Sequence, residues 1–167
     1  MGESLSDRVL SEVEVAKNLY HRLVILAGPP MSEKSSALRQ LAERFDWPLV
    51  NLNLLLSERL LELAMRQRAL RVGELVEDIL QEVNSDIVLL DNVELLFHPD
   101  LKTDPLRLLQ NLSRNRTIVA AWQGQFADQA LTYAAPGHQE FRRYSNPQVL
   151  IVSSHGHLRP HNEEHSA

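Results

Sequence analysis

The stretch that most limits what this chain can fold into runs from Leu23 to Phe45. The apolar run Leu23-Val24-Ile25-Leu26-Ala27 leads into Gly28-Pro29-Pro30-Met31-Ser32-Glu33-Lys34-Ser35, and Leu38, Leu41, Ala42 and Phe45 then recur at helical spacing. A continuous apolar run is how a parallel strand covered on both faces reads, and the later spacing predicts an amphipathic helix over residues 34–45. Strand, glycine-led loop and helix, in that order, are the setting of the phosphate-binding pattern G-x-x-x-x-G-K-[ST]. Its first glycine leaves the strand, its second lets the backbone close on phosphate, the lysine meets the β- and γ-phosphates, and the hydroxyl meets Mg²⁺. Gly28, Lys34 and Ser35 fit that pattern, while Glu33 stands where the second glycine belongs. Pro29, Pro30, Met31, Ser32 and Ser36 complete the expected nucleotide cradle.

A second run, Ile87-Val88-Leu89-Leu90-Asp91, ends in an acid. A buried parallel strand delivers such a carboxylate to the top of a sheet, where it holds the metal of a bound nucleotide. Further strands are read at residues 49–53, 117–122 and 149–152, with helical stretches between them. The fold class expected is α/β, a three-layer P-loop NTPase core of AAA+-like type with a five-stranded, mainly parallel sheet.

Around that frame, Val9, Val13, Ala16 and Tyr20 predict a leading helix over residues 5–20, capped at Ser4 or Ser6. Residues 57–83 read as helical from a Ser57 cap, and Gly73 with the Arg66, Arg68, Arg71 cluster suggests two helices. Asp104-Pro105 is a cap and first-turn pair for a helix carrying Leu106, Leu109 and Leu112. Residues 123–147, broken by Gly124, Pro136-Gly137 and Asn146-Pro147, are expected to be irregular with one short helix over residues 138–144. Residues 1–154 are expected to form a single domain and the histidine-rich end, from residue 155, a disordered tail.

The chemistry expected follows from this arrangement. Lys34 neutralises phosphate, and Ser35 and Asp91 hold Mg²⁺. Asn92 occupies the place where many ATPases carry the glutamate that orients water, and an amide cannot take a proton. Glu94, two residues on, is either the replacement base or a surface acid; hydrolysis is expected to be slow. Gln123, past the strand at residues 117–122, is either a sensor of the γ-phosphate or a loop amide. Arg142 and Arg143 are either surface arginines or the pair that reaches a neighbouring copy's nucleotide, with Arg114 and Arg116 as weaker candidates; the first role implies a homo-oligomer. The cofactors expected are ATP and Mg²⁺, adenine being the default because no Asn-Lys-x-Asp run is present to read guanine. His98 and His138 have no metal-ligand spacing.

Composition enters as a set of exclusions. With no cysteine, thiol catalysis, disulfides and cysteine metal sites are all absent. The net charge of −5 gives no general attraction to nucleic acid, so a DNA contact needs a local basic patch or a partner. No apolar run is long enough for a membrane span, and the acidic start is unlike a signal peptide, so a cytoplasmic location and no membrane partner are expected.

Four segments together, Leu90-Asp91-Asn92-Val93-Glu94-Leu95-Leu96-Phe97, Asp104-Pro105-Leu106-Arg107-Leu108-Leu109, Ser113-Arg114-Asn115-Arg116 and Leu131-Thr132-Tyr133-Ala134-Ala135-Pro136-Gly137-His138, resemble the BrxF family of small P-loop proteins in type 3 BREX phage-defence systems. The resemblance spans about residues 20–153. It implies a bacterial cytoplasmic protein with an AAA+-like core that works beside other BREX proteins, a DNA methyltransferase among them, in telling phage DNA from host DNA. By the same resemblance Gly28, Lys34 and Ser35 take the nucleotide-loop roles and Asp91 the metal role, while Met31 and Glu33 depart from the glycine-rich form. A helical lid with a second sensor arginine is not expected, since little sequence follows the last strand. The second expectation, of a different class, is a noncatalytic adaptor that uses the P-loop fold as a scaffold for partner proteins.

Overall fold

The computed structural model describes residues 3–154; the histidine-rich end lies outside the described residues. Its centre is a sheet of five parallel strands in the order β2-β3-β4-β1-β7. These are β1 (Leu23–Gly28), β2 (Leu49–Asn51), β3 (Ile87–Asp91), β4 (Thr117–Ala127) and β7 (Leu150–Ser153). Two short antiparallel strands, β5 (Ala130–Tyr133) and β6 (Arg142–Ser145), extend β4 beyond the end of its neighbours.

Alternation along β1 explains the layering. Leu23, Ile25 and Ala27 pack into one core with helices α3 (Leu52–Leu60), α4 (Met65–Val83) and α5 (Pro105–Leu112). Val24 and Leu26 pack into the other with α1 (Leu5–Ala16) and α2 (Lys34–Phe45). Successive side chains of a strand face opposite ways, so an unbroken apolar run demands a cover on both sides. Register then fixes the functional edge: Gly28 lies beside Gln123, and Asp91 beside Asn51, at the carboxyl ends of their strands.

Several expectations shift in detail. The first helix ends at Ala16, and its Ser4 cap accepts from Asp7 N at 3.1 Å. The strand expected over residues 49–53 stops at Asn51, because the Asn51 side chain accepts from Leu54 N at 3.1 Å and starts a helix. Ser57 therefore lies inside α3 and caps nothing. The helical stretch does divide in two, but between Leu60 and Met65; Gly73 lies within α4. No helix forms over residues 138–144. Gly137 adopts φ 91° and the His138 ring accepts from Glu140 N at 3.0 Å, which makes a tight turn, and Arg142–Ser145 then pair with β5. Asp104 caps α5 through Arg107 N, with Pro105 in the first turn.

The β4–β5–β6 extension is anchored by aromatic packing. Trp122 is fully buried, its indole N–H donates to Thr132 O at 2.9 Å, and the Phe97 and Tyr133 rings stack with centroids 3.5 Å apart. A Cβ at position 124 would stand 1.8 Å from Thr132 O, so only glycine lets β4 pass β5 there. No helix among the described residues is long and apolar enough to cross a membrane.

Candidate functional site

The loop from Gly28 to Ser35 crosses from β1 to α2 at the carboxyl edge of the sheet, where ligands of open α/β sheets bind. Gly28 is required at its start, since a Cβ there would lie 2.1 Å from the Ser154 hydroxyl. The left-handed residue of the loop is Met31, at φ 64° and fully exposed. Glu33 has φ −82° and ψ 9°, a conformation any residue adopts, and it is exposed. Among the described residues its carboxylate has no hydrogen-bond or ion-pair partner. The replacement of the second glycine therefore adds no backbone strain at position 33.

Lys34 retains 7% exposure. Its ammonium donates to Gly28 O at 3.0 Å, to Pro29 O at 2.6 Å and to the Ser32 hydroxyl at 3.1 Å. Burial lowers its pKa, and the carboxylates of Glu94 and then Asp91 act against that shift. Ser35 Oγ donates to Asp91 Oδ2 at 2.7 Å. The other oxygen of Asp91 accepts from Asn92 N at 2.9 Å, which fixes the plane of the carboxylate.

After Asp91 the chain turns sharply. Asn92 takes φ 55°, a left-handed conformation that asparagine tolerates better than most residues, and a 3-10 turn over Glu94–Phe97 follows. That turn is held by a residue sequence reasoning passed over. Asn53 donates from its backbone to Asn92 O at 2.8 Å, from its side chain to Glu94 Oε1 at 3.1 Å, and accepts from Leu95 N at 2.8 Å. The available signal was two asparagines closing a short apolar strand, Asn51 and Asn53, which were read as strand residues. Glu94 is thus held at the site, and its charge reaches both Lys34 and the Tyr133 phenol. Tyr133 has its pKa raised, by burial first and then by Glu94 and Glu140.

Gln123 lies beside Gly28 at the end of the parallel pairing, its backbone carbonyl accepting from Ala134 N at 3.1 Å. Ser36 follows Ser35 in the first turn of α2 and makes no side-chain hydrogen bond among the described residues. The arginines are more dispersed. Arg142 donates to Thr103 O at 3.1 Å, which ties β6 to the start of α5, and Arg143 is exposed with Ser145 Oγ at 2.6 Å. Arg114 lies over the Tyr20 ring at 4.8 Å. Arg116 is buried in a two-pronged pair with Glu77 at 3.0 and 2.9 Å, which removes it from any role toward a neighbour. In the Arg66, Arg68, Arg71 cluster, Arg68 donates to Leu63 O and Arg71 pairs with Glu74, leaving a solvated helix face. Among the described residues no group of three metal-ligating side chains is gathered, His98 and His138 included.

Two clefts open at this edge. One, of about 510 Å³, is lined by Asn53, Asn92, Glu94, His98 and Glu140 among others. The other, of about 790 Å³, lies between Pro29-Pro30 and the β4–β5–β6 extension.

A glycine-led loop between β1 and α2, a buried lysine at its end and a serine bonded to the acid that closes a strand of a parallel sheet define a P-loop NTPase core. No known family profile matches the chain, and no curated protein matches it. Among solved structures, C. elegans PCH-2 matches at 17% identity and TM-score 0.40, over 70% of this chain and 36% of PCH-2. AMPPCP-bound DnaA from Aquifex aeolicus matches at 17% identity and TM-score 0.34, over 72% of this chain and 39% of DnaA. The chain thus spans well under half the length of either. Likeness at this level says nothing of activity; the fold rests on the strand order and the loop.

Proposed function

We propose that this chain binds an adenine nucleotide with Mg²⁺ at the Gly28–Ser35 loop and hydrolyses it slowly, as a cytoplasmic P-loop protein of BREX antiphage defence. The observation that carries the nucleotide reading is the 2.7 Å hydrogen bond from Ser35 to Asp91 beside the buried ammonium of Lys34. A hydroxyl and a carboxylate side by side are the hard oxygen donors that Mg²⁺ takes, and a desolvated lysine with no acid in hydrogen-bond contact is suited to a polyanion. Lys34 would hold the β- and γ-phosphates, Ser35 and Asp91 the metal. Bound ATP supplies the phosphoanhydride that is broken. Glu94 is the residue able to take the proton of an attacking water, and Asn53 holds it in place. Asn92 serves by shaping the backbone that presents Glu94. Turnover is slow in this reading because the base is displaced by two residues from position 92, next to Asp91, and is engaged by an amide.

The defence role rests on the four segments that resemble the BrxF family. Two of them border the site: the strand and turn carrying Asp91 and Glu94, and β5 with the loop after it. Other BREX proteins are the partners this role requires, and assembly with further copies of the chain belongs to it as well. Arg142 is spent on Thr103, which leaves Arg143 as the arginine that could meet a neighbour's nucleotide.

One observation favours the alternative of a noncatalytic scaffold: all three ammonium donors of Lys34 are satisfied by the loop itself. A thermal melt with and without millimolar Mg-ATP separates the two. A ligand at ~100 times its dissociation constant adds ~2.7 kcal/mol to stability, so the nucleotide reading expects a clear rise in midpoint in wild type and none in Lys34→Ala. An unchanged wild-type midpoint leaves the scaffold reading standing.

A further inference from the structure

The β4–β5–β6 extension has one face in the core and one that is not. Phe126, Leu131 and Tyr144 lie in register across its three strands and pack against the core. The neighbouring row, Gln125, Thr132 and Arg143, is also in register and by strand alternation faces the other way, into the 790 Å³ cleft. Gln123 precedes Gln125 on the same face and lines the same cleft. Neither amide side chain has a hydrogen-bond partner among the described residues. Phe141, also on the cleft wall, is half-buried, belongs to neither core and makes no ring pair. The opposite wall is Pro29-Pro30 of the phosphate loop.

We infer that this cleft is a second site, bordered by the phosphate loop but separate from the Lys34, Ser35 and Asp91 cluster, and that it takes a nucleobase whose phosphate lies toward Arg143. An aromatic ring with no partner of its own and two prolines offer flat apolar surfaces of the kind on which bases stack, which is sequence-tolerant because every base has a π-face. Two unpaired amides on one strand face supply the paired donors and acceptors that read a base edge. The guanidinium at the end of the same row supplies the cation a phosphate needs. With a net charge of −5 the protein gives no general attraction to polyanions, so the binding is local and shallow in salt dependence, about one phosphate contact's worth.

The test uses the full chain in magnesium-free buffer with fluorescein-labelled deoxyadenosine strands of increasing length, and AMP as competitor. Anisotropy is expected to report binding that AMP displaces, that Phe141→Ala weakens about tenfold and Gln125→Ala severalfold, and that Lys34→Ala leaves unchanged. Affinity that rises with strand length identifies the source as a nucleic-acid strand, and affinity that does not identifies a free nucleotide. Because Gln125 is exposed, its variant remains informative if Phe141→Ala folds poorly by circular dichroism. The inference is overturned if neither strand nor AMP binds up to millimolar concentration, or if the folded variants bind as wild type does. Loss of binding in Lys34→Ala overturns it too, since the base would then belong to a nucleotide held by the phosphate loop. Failure of the Mg-ATP melt would leave these outcomes untouched.

Discussion

Among the described residues two cations are almost completely buried, at opposite ends of the sheet. Arg116 immediately precedes β4 and Lys34 opens α2 at the end of the loop after β1, and each retains 7% exposure. Arg116 meets its counter-charge directly: Glu77 accepts at 3.0 and 2.9 Å and Leu112 O at 2.8 Å, so the charge is spent within the fold. Lys34 meets two carbonyls and a hydroxyl. The two carboxylates that influence it are held by other donors, Asp91 by Ser35 and Asn92 N, Glu94 by Asn53. A buried cation bonded to an acid is compensated within the fold, whereas one surrounded by neutral acceptors is not, and the proposed nucleotide would supply the missing counter-charge.

The comparison is most easily broken through stability. Arg116→Ala leaves Glu77 with only the Gln81 amide, which donates at 2.9 Å, at a site that still reaches water, so the cost expected is ~2–3 kcal/mol, below the value for a fully buried pair. Urea denaturation measures it, and the Mg-ATP shift should survive. Lys34→Met removes a desolvated charge in favour of an apolar chain of similar length, and is expected to leave stability within ~1 kcal/mol of wild type. If Lys34→Met costs as much as Arg116→Ala, both cations are structural and the distinction fails.

Asn53→Ala is the next largest effect. It leaves Leu95 N without its acceptor and frees Glu94, so a loss of ~1–2 kcal/mol and a fall in turnover of about tenfold are expected, with nucleotide affinity unchanged. Unaltered turnover in the presence of measurable hydrolysis would remove Glu94 from the reaction.

Proton linkage distinguishes the two cations further. The folded-state pKa of Lys34 lies below its ordinary 10.5, mainly through burial. Between the folded value and 10.5 the folded chain carries fewer protons than the unfolded one, so stability rises with pH across that window. The carboxyl of Glu77 is held below its ordinary 4.5, chiefly by the Arg116 hydrogen bonds. Its contribution is complete above 4.5 and is lost as pH falls through the folded value. Wild type minus Lys34→Met should therefore change only on the alkaline side, and wild type minus Arg116→Ala only on the acid side.

The parts of this arrangement that were legible in the sequence are those set by local pattern. Leu23–Ala27 and Ile87–Leu90 announce buried strands because both faces must be covered, and Asp104-Pro105 announces a helix start because its chemistry lies within one turn. What escaped depends on contacts distant in sequence. Asn53 acts on residues some forty positions away, and the pair Asn51 and Asn53 marks the end of the strand without showing what Asn53 holds. The extension was missed because β5 and β6 are short and separated by a loop holding Pro136 and Gly137. The stretch between Pro136-Gly137 and Asn146-Pro147 carries no clear period of its own, and only the pairing with β5 shows that Arg142 and Tyr144 face one way and Arg143 the other.

The smallest effect concerns the residue that looks most out of place. A carboxylate ~4 Å from a phosphate would cost ~4 kcal/mol at an effective dielectric of ~20, about a thousandfold in affinity. That cost requires the side chain to lie against the ligand, and Glu33 is exposed, with no partner in the loop among the described residues. Its backbone, at φ −82°, does not need glycine; the strained position is Met31 at φ 64°. Glu33→Gly should therefore change Mg-ATP affinity by less than about threefold, measured by titration calorimetry. Met31→Gly should raise the unliganded melting midpoint by relieving ~1 kcal/mol of left-handed strain. A hundredfold gain in affinity in Glu33→Gly would show that the carboxylate turns inward when the nucleotide arrives, and that Lys34 is partly neutralised by a neighbour in the liganded loop as Arg116 is at the other end of the sheet.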